Sequence, residues 1–296
     1  MIKLPLVSII MPTYNRAYII TKAIASIQQQ TYSNWELIII DDGSTDKTAA
    51  TIAKLGEPRI HYYAQINQGP SIARNHGLWH AKGEYVCYLD SDNELLPHYL
   101  AVMISAFQTN PQALYGIPQG NYSYELYIDG KHVDSVNKST QFPDTLTIHD
   151  IFHRKIHFDM NGFMHKHAII DETIAFDATL LGLEDWDFIM QIGTLYPEGF
   201  LYVPQPLYTY RQRFGADGLV GHKDITYLNQ AKKFDQIYEK HKDSPLMKGQ
   251  TWYPDRAERW RKLEVAYQAG KIPPAYLFPF VDHWPDKLKV NALLYT

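Results

Sequence analysis

The chain has one cysteine, no strong excess of charge of either sign and no long apolar run among its 296 residues. Because Cys87 has no partner for an internal disulfide, the composition suits a reducing compartment. A formal charge of -4 provides no basic field for nucleic acid. No stretch reaches the roughly 18 apolar residues of a membrane span, and the first residues lack the features of a signal peptide. We therefore expect a cytoplasmic protein that binds no nucleic acid and is at most peripheral at the inner face of the membrane.

Strand and helix patterns alternate through the first half of the chain, and the 45% apolar composition is that of a globular protein. Four short runs are almost entirely apolar, at residues 7–11, 35–40, 60–64 and 85–89, and Pro12 marks the expected end of the first. Helical patterns follow at 20–27, 48–55, 70–81 and 97–108. Strands that are apolar on both faces form parallel sheets covered by helices. The predicted class is α/β, with a Rossmann-like, mostly parallel sheet flanked by helices.

Polar residues follow each of the four predicted strands. In a parallel sheet these turns meet at one edge, where ligands bind. Asp90 and Asp92 stand two residues apart, so both side chains can face one ligand. A divalent cation carrying phosphates would relieve their repulsion, whereas an acidic turn capping the next helix is the alternative. No Gly-x-Gly-x-x-Gly follows the first strand and no Gly-Lys-Ser/Thr loop is present, so a phosphate ligand would need a metal and basic side chains.

Four polar-ended segments occur in a fixed order along the first half of the chain. They are VSIIMPTYNR at 7–16, WELIIIDDGSTD at 35–46, NQG at 67–69 with ARN at 73–75, and GEY at 83–85 with LDSD at 89–92. In this order they resemble the signatures of family 2 glycosyltransferases of the GT-A fold. The resemblance covers about residues 5 to 110 and extends more loosely to about 222. It implies a GT-A domain at 1–222, with a nucleotide-binding half at 1–110 and an acceptor-binding half at 111–222. Residues 223–296 carry no signature of the family, and their own patterns predict a helical C-terminal extension.

The resemblance implies a nucleotide-diphosphate sugar as donor, most often a UDP-sugar. Tyr14 would lay its ring against the base, and Asp42 would accept a hydrogen bond from the uracil ring N–H. Arg74 would approach the nucleotide, although a tyrosine packed in a turn and an arginine solvated on a helix are the alternatives. The nucleotide-binding positions implied in this way are Pro12, Tyr14, Arg16, Asp42, Arg74 and Asp90.

The resemblance also implies Mn²⁺ or Mg²⁺ as cofactor. Asp92 would bind the metal that bridges the diphosphate oxygens, and Asp90 would face the ribose and contribute to the same site. In several relatives a histidine at the position of His222 completes the metal site or contacts the diphosphate. A lone histidine among 13 is also commonly incidental, and both interpretations stay open.

The second half of the chain contains Phe176-Asp177 and then GLEDWDF at 182–188, which resembles the Glu-Asp motif of the family at the start of a helix running to about residue 195. Asp185 is the implied general base, which would take the proton from an acceptor hydroxyl. Glu184 and Trp186 are candidates for holding the acceptor, or are packing residues. Acidic residues in the first turn of a helix are also favoured by its dipole. A single displacement would invert the configuration of the transferred sugar.

The resulting hypothesis is an inverting, metal-dependent transferase that moves one sugar at a time to a saccharide or lipid-linked saccharide in bacterial surface-glycan synthesis. A polyprenyl-phosphate sugar transferase and a noncatalytic nucleotide-sugar-binding protein are the alternatives. A nucleotidyltransferase should carry a Gly-x-Gly-Thr-Arg loop after the first strand, and this chain does not. Beyond the GT-A domain, helical patterns are predicted at 225–241 and 254–269.

Overall fold

A computed structural model describes residues 4–128, 131–139, 143, 145–153, 159–180, 182–214 and 226–270. The chain divides into two compact units. Unit 1 consists of Met1–Tyr122, Lys138–Thr179 and Glu184–Arg211, and unit 2 of Ser123–Asn137, Leu180–Leu183 and Gln212–Thr296. The predicted domain boundary at 222 lies outside the described residues and stays a prediction.

Strands and helices alternate along the first half of the chain, as the apolar pattern predicts. The elements there are β1 (Val7–Thr13), α1 (Ile20–Gln28), β2 (Trp35–Asp41), α2 (Thr48–Ala53), β3 (Ile60–Ala64), α3 (Pro70–His80), β4 (Tyr85–Tyr88), β5 (Glu94–Leu95) and α4 (Tyr99–Thr109). The remaining elements are β6 (Tyr115–Ile128), β7 (Lys131–Ser139), α5 (Ile148–Phe152), β8 (Met164–Lys166), α6 (Glu184–Leu195), β9 (Phe200–Phe214), α7 (Tyr227–His241) and α8 (Trp252–Gln268).

The first four strands form a parallel sheet in the order β3-β2-β1-β4. All seven residues of β2 are buried, as are the first five of β1, because helices cover both faces of this part of the sheet. The α/β class and the GT-A arrangement predicted from the sequence are confirmed. Since β2 and β4 lie on opposite sides of β1, the strand order reverses there, and the carboxyl ends of these strands border a crevice suited to a ligand.

The prediction that Pro12 ends the first strand is wrong. β1 continues to Thr13, with Pro12 opposite Ile40 and Thr13 opposite Asp41 of β2. Strand β4 pairs with β1 only from Val7 to Ile10, so the missing N–H of Pro12 removes no hydrogen bond on that side. Proline therefore fits inside this strand end and carries the chain on to the turn that follows.

The remaining strands extend the sheet in the order β4-β8-β6-β9-β5, with β7 paired to β6. β8 is antiparallel to both β4 and β6, and β5 is antiparallel to β9. The sequence patterns did not predict these strands. Their importance for the site is that β8 and the turn before it lie directly beside β4, whose end carries Asp90.

Helices α7 and α8 pack on each other within unit 2, close to the predicted ranges 225–241 and 254–269. The side chain of Thr226 caps α7 by accepting a hydrogen bond from the backbone N–H of Asn229 at 3.0 Å. Phe234 and Trp252 meet edge to face, with ring centroids 5.4 Å apart. Among the described helices, none combines the length and the apolar character that crossing a membrane requires.

Gly77 of α3 allows this helix to lie close to β1. A Cβ atom at this position would be 2.4 Å from Cγ2 of Ile10, a buried strand residue that cannot move aside. We predict that Gly77→Ala lowers the free energy of unfolding by about 1–2 kcal/mol, because the overlap outweighs the gain in helix propensity. Chemical denaturation measures the change. Ser105→Ala, at an exposed position of α4, is the control and should stay within about 0.5 kcal/mol of wild type. A Gly77→Ala protein as stable as wild type would contradict this packing.

Candidate active site

A buried arginine connects three elements at the carboxyl edge of the sheet. Nη2 of Arg74, on α3, donates to Oδ1 of Asp90 at 2.9 Å, and its Nη1 donates to Oε1 of Glu184 at 3.0 Å. The side chain of Arg74 is 7% exposed. Because Asp90 follows β4 and Glu184 begins α6, one guanidinium fixes the end of a strand to the start of a helix.

The charge of Arg74 is maintained by its acidic neighbours. Burial opposes the charged form, but the attraction of Asp90, Glu184 and Asp185 raises the pKa of Arg74 above its ordinary value. The ring of Phe176 lies beneath the guanidinium, 5.5 Å from ring centroid to Cζ, and stacks on Phe188 of α6 with centroids 4.0 Å apart. The guanidinium of Arg74 therefore contacts carboxylates through its nitrogens and the aromatic ring of Phe176 through its face.

Asn75, the next residue on α3, holds Phe176 in place through its backbone. Its Nδ2 donates to the carbonyl of Phe176 at 2.8 Å, and its Oδ1 accepts from the N–H of Phe176 at 2.9 Å. Two adjacent residues of the Ala73-Arg74-Asn75 motif thus make different kinds of contact. Arg74 binds the carboxylate side chains of the site, and Asn75 binds the backbone of Phe176.

Asn161 forms two hydrogen bonds with Asp90, one of them to the carboxylate oxygen that Arg74 does not contact. The Oδ1 of Asn161 accepts from the N–H of Asp90 at 2.8 Å, and its Nδ2 donates to Oδ2 of Asp90 at 3.1 Å. Both carboxylate oxygens of Asp90 are therefore hydrogen-bonded within the protein. This arrangement favours a supporting role for Asp90 over the direct contact with ribose and metal that the resemblance implies.

Behind Asn161 lies a second acid, Asp159, which the sequence patterns did not single out. Its Oδ1 accepts from the N–H and Nδ2 of Asn161, and its Oδ2 accepts from the hydroxyls of Tyr122 and Tyr208, each at 3.1 Å. Burial is the main cause that raises the pKa of Asp159 to about 7, against the lowering effect of these hydrogen bonds. The ring of Tyr208 is fixed by close contact with Gly162, where a Cβ would lie 2.6 Å from it.

Asp185 lies at the N-terminus of α6, where the helix dipole favours an acid. Its Oδ1 accepts from the N–H of Trp186 at 2.8 Å. Burial and the neighbouring Glu184 raise the pKa of Asp185 well above its ordinary value, although the Trp186 N–H and Arg74 oppose the shift. The side chain is nevertheless partly exposed. A partly exposed carboxyl with a raised pKa is suited to proton transfer near neutral pH.

The hydroxyl of Tyr210, on β9, lies near four carboxylates of the candidate site. Its pKa is raised well above 10, first by burial and then by four carboxylates, Asp159, Asp90, Asp92 and Asp185. Charges act on one hydroxyl in this way only when they are near it. Asp92, from the turn after β4, and Asp185, from the start of α6, therefore both lie near the hydroxyl of Tyr210.

Asp42 directly follows β2 and is almost completely buried. Its Oδ1 accepts from Nε2 of Gln65 and from the N–H of Gln68, and its Oδ2 accepts from the N–H of Gly69, all at 2.8 Å. The carboxylate thus shapes the loop that leads into α3. A second lone pair on Oδ2 leaves capacity for one more donor. The predicted contact with a base N–H stays a prediction.

The turn after β1 is fastened to the turn after β2. Oδ1 of Asn15, whose φ is 52°, accepts from the N–H of Thr45 at 2.8 Å, and the N–H of Arg16 donates to the hydroxyl of Thr48 at 2.9 Å. Tyr14 is 45% exposed beside this junction, so its ring face is accessible to a ligand, as the nucleotide prediction requires. The partly exposed Pro12 and Arg16 flank it.

Three predicted site residues have different surroundings from those expected. The guanidinium of Arg74 is paired with carboxylates inside the protein, and its contact with the nucleotide stays a prediction. Glu184 forms one of those ion pairs and supports Arg74. Trp186 is 1% exposed, which corrects its assignment to the acceptor site, because its ring has no face open to a sugar. A tryptophan next to acidic residues has the same sequence signal whether it points outward or into the core.

The carboxylates after β4 are suitable ligands for a divalent cation, but they are too few to hold one alone. Carboxylate oxygens such as those of Asp90 and Asp92 are the ligands that Mg²⁺ and Mn²⁺ prefer. Among the residues that the structure describes, no group of three or more His, Cys, Asp or Glu side chains could hold a metal ion. His222, the third predicted ligand, lies outside the described residues, so a protein-only metal cage is not evident here.

The sheet, with acidic residues at the carboxyl ends of its strands, has the GT-A fold. A crystal structure of S. aureus TarS 1-349 in complex with UDP-GlcNAc has the same fold, with a TM-score of 0.65 at 18% identity, covering 98% of this chain and 80% of that chain. Residues 8–169, more than half of the chain, match the model for Glycosyl transferase family 2. The chain belongs to this family, and the protein is a glycosyltransferase.

Two curated relatives align with most of the chain. The putative colanic acid biosynthesis glycosyl transferase WcaA of Escherichia coli K12 is 27% identical over 270 residues, which are 89% of this chain and 88% of the relative. The GalNAc(5)-diNAcBac-PP-undecaprenol beta-1,3-glucosyltransferase of Campylobacter jejuni is 28% identical over 280 residues, 90% of this chain and 86% of the relative. The similarity therefore extends beyond the matched family segment into the C-terminal part of the chain.

The ion pairs of Arg74 should contribute strongly to stability. We predict that Arg74→Met lowers the free energy of unfolding by about 3–5 kcal/mol, because Asp90 and Glu184 lose their shared cation while remaining partly buried. Neutralising both acids in the same protein, with Asp90→Asn and Glu184→Gln, should recover most of the loss. Denaturant unfolding provides the measurement.

The matched control for Arg74→Met is Arg261→Met in unit 2. Arg261 pairs with Asp235 and Glu258, and its side chain is 44% exposed. An exposed pair of this kind contributes at most about 1 kcal/mol. Equal destabilisation by the two substitutions would contradict the role of Arg74 as the central cation of unit 1.

Proposed function

We propose that the protein is an inverting glycosyltransferase that moves a hexose from a UDP-sugar to a hydroxyl group of a lipid-linked saccharide. The observation that carries this proposal is the position of Asp185. It is a partly exposed carboxyl with a raised pKa at the start of α6, and it lies near the hydroxyl of Tyr210, as Asp92 does. Two such acids support a reaction in which Asp185 removes the proton of the acceptor hydroxyl and Asp92 binds the metal ion of the donor diphosphate.

Asp185 acts as the general base in this proposal. Its carboxylate takes the proton from the acceptor hydroxyl while that oxygen attacks the anomeric carbon. A base with a pKa near the working pH is the most effective, because it is largely deprotonated and still accepts a proton readily. The nucleotide diphosphate departs from the opposite face of the sugar, so an α-linked donor gives a β-linked product.

The donor is held at the ends of β1, β2 and β4. The exposed ring of Tyr14 supports the base of the nucleotide, and Asp42 has acceptor capacity left for a ring N–H. Mg²⁺ or Mn²⁺ held by Asp92 together with the diphosphate would neutralise the charge of the leaving group. Asp90, fixed by Arg74 and Asn161, holds the turn that carries Asp92 in position.

The acceptor class follows from the relatives and from the base. The Campylobacter jejuni relative is named as a glucosyltransferase acting on an undecaprenol-diphosphate-linked glycan and forming a β-1,3 linkage. A β-linked product agrees with inversion of an α-linked donor. A polyprenyl-phosphate acceptor is already ionised and has little need of Asp185, so the base favours a hydroxyl acceptor. UDP-glucose with a polyprenyl-diphosphate-linked saccharide is the first combination to assay.

We predict that Asp92→Asn and Asp185→Asn separate donor binding from chemistry. Asp92→Asn should abolish metal-dependent UDP binding, because the amide is neutral and a poor ligand for Mg²⁺ or Mn²⁺. Asp185→Asn should leave UDP affinity near normal and reduce kcat by about a hundredfold or more, because the base is lost. Calorimetry with UDP and metal, combined with a transfer assay, measures both quantities.

The control for these substitutions is Asp255→Asn, at an exposed position of α8, which should change neither binding nor transfer. Equal loss of UDP affinity in the Asp92 and Asp185 variants would contradict the separate roles. Full transfer activity in Asp185→Asn would exclude this residue as the base.

The pH dependence of kcat provides an independent test. A general base is inactive when protonated, so kcat should fall as the pH drops through the pKa of Asp185, well above the ordinary 3.8 of an aspartate. Burial and Glu184 are the larger causes of the upward shift of this pKa, and Asp159 adds a smaller one. In Asp159→Asn the fall should therefore move slightly to lower pH. Disappearance of the fall in that variant would assign it to Asp159, and a fall near pH 4 in wild type would contradict the raised pKa.

A further inference from the structure

A chain of hydrogen bonds runs from Asp42 to two histidines on α3. Nε2 of Gln65 donates to Asp42 at 2.8 Å, and Oε1 of Gln65 lies 2.9 Å from Nδ1 of His76. Nε2 of His76 then lies 3.2 Å from Nε2 of His80, one helical turn further along. No motif of the family covers these histidines, and the proposed transfer reaction does not use them.

The donors and acceptors in this chain are fixed by its first member. Asp42 also accepts hydrogen bonds from two backbone N–H groups, so it is an acceptor toward Gln65, whose amide nitrogen must donate. The amide oxygen of Gln65 therefore accepts from Nδ1–H of His76. With its proton on Nδ1, a neutral His76 presents a lone pair at Nε2 toward the Nε2 of His80. Only a proton or a cation placed between these two nitrogens makes the approach favourable.

The separation of the two nitrogens is that of two imidazoles on one metal ion. Zn–N bonds are about 2.0–2.1 Å long, and two such bonds to atoms 3.2 Å apart subtend roughly 100° at the ion. This angle lies between the octahedral and tetrahedral values. Positions i and i+4 of a helix place both rings on one face without any rearrangement of the backbone.

We propose that His76 and His80 form a two-histidine binding site for a divalent transition-metal ion that prefers imidazole ligands, such as Zn²⁺, Ni²⁺ or Cu²⁺. The ion takes the place of the proton shared by the two Nε2 atoms. Because no third His, Cys, Asp or Glu joins them among the described residues, water completes the coordination. The site is consequently of modest affinity and open to exchange.

The surroundings of both rings support metal binding. Gln65 holds the Nδ1–H of His76, which is the outer-shell hydrogen bond that fixes the tautomer of a metal-binding imidazole. The ring of Tyr63 stacks on His80 at a centroid distance of 3.7 Å and an angle of 11°, which limits its rotation. Burial, His76 and Lys82 lower the pKa of His80 and so favour the neutral ring that binds metals. Both histidines are half-buried beside Trp79, which is 79% exposed, so an ion can enter from solvent.

A bound ion would also stiffen the loop that Asp42 shapes. With His76 fixed by the metal, Gln65 and the residues that follow it lose freedom, and this loop is part of the proposed donor site. This consequence rests on the proposed function, whereas the metal site itself does not.

The test is a titration of the full-length protein with Zn²⁺ and with Ni²⁺ in competition with a chromogenic chelator. Excess Mg²⁺ is present to occupy carboxylate sites that prefer a hard cation. We expect one Zn²⁺ or Ni²⁺ site per chain that is weakened at least tenfold in both His76→Gln and His80→Gln. His80→Gln is the cleaner variant, because it leaves the hydrogen bond between Gln65 and His76 in place.

The matched control is the pair His149 and His153, which has the same i, i+4 spacing at α5 but ring centroids 6.1 Å apart, compared with 4.9 Å for His76 and His80. His149→Gln should leave the Zn²⁺ site unchanged. Absence of a stoichiometric site in wild type, or a site that survives His80→Gln, would overturn the proposal. Failure of the protein to transfer sugar in the separate activity assay would leave the metal result standing.

Discussion

The site depends on one buried cation among several acids. Arg74 is the guanidinium between Asp90 and Glu184, and Asp185 also contributes to its pKa. One positive charge facing three carboxylates leaves an excess of negative charge. Burial, together with that excess, explains why Asp185 binds its proton more tightly than an ordinary aspartate. A cation bound near Asp92 would reduce the excess. The same ion pairs fix the end of β4 to the start of α6.

Support for this centre comes from layers of uncharged contacts. Phe176 and Phe188 stack beneath Arg74. Asn161 donates hydrogen bonds to both Asp90 and Asp159, and two tyrosine hydroxyls donate to Asp159. The hydrogen bonds that join Asp159, Asn161 and Asp90 make this network rigid, because moving any of the three leaves a buried polar group without a partner. This rigidity holds the end of β4 and the start of α6 in fixed positions.

The sequence predicted the parallel half of the fold and the position of its acids, because continuous apolar runs and strand-end aspartates are local signals. The range of β3 and the course of α6 agree with those predictions. β6 and β9 were missed because their prolines and tyrosines interrupt any simple alternation. Asp159 and Asn161 were missed because their importance arises from contact with Asp90, 71 positions from Asn161 in the chain. Trp186 was assigned to the acceptor site because the sequence does not show which way a side chain points.

The most direct measurement is a crystal structure of the protein with UDP and Mn²⁺. We predict that Arg74 still bridges Asp90 and Glu184, with Asp92 facing the diphosphate and Asp185 across the space that the sugar would occupy. An Arg74 side chain that has left both acids to bind the diphosphate, or an Asp185 carboxylate turned away from it, would contradict the proposed organisation of the site.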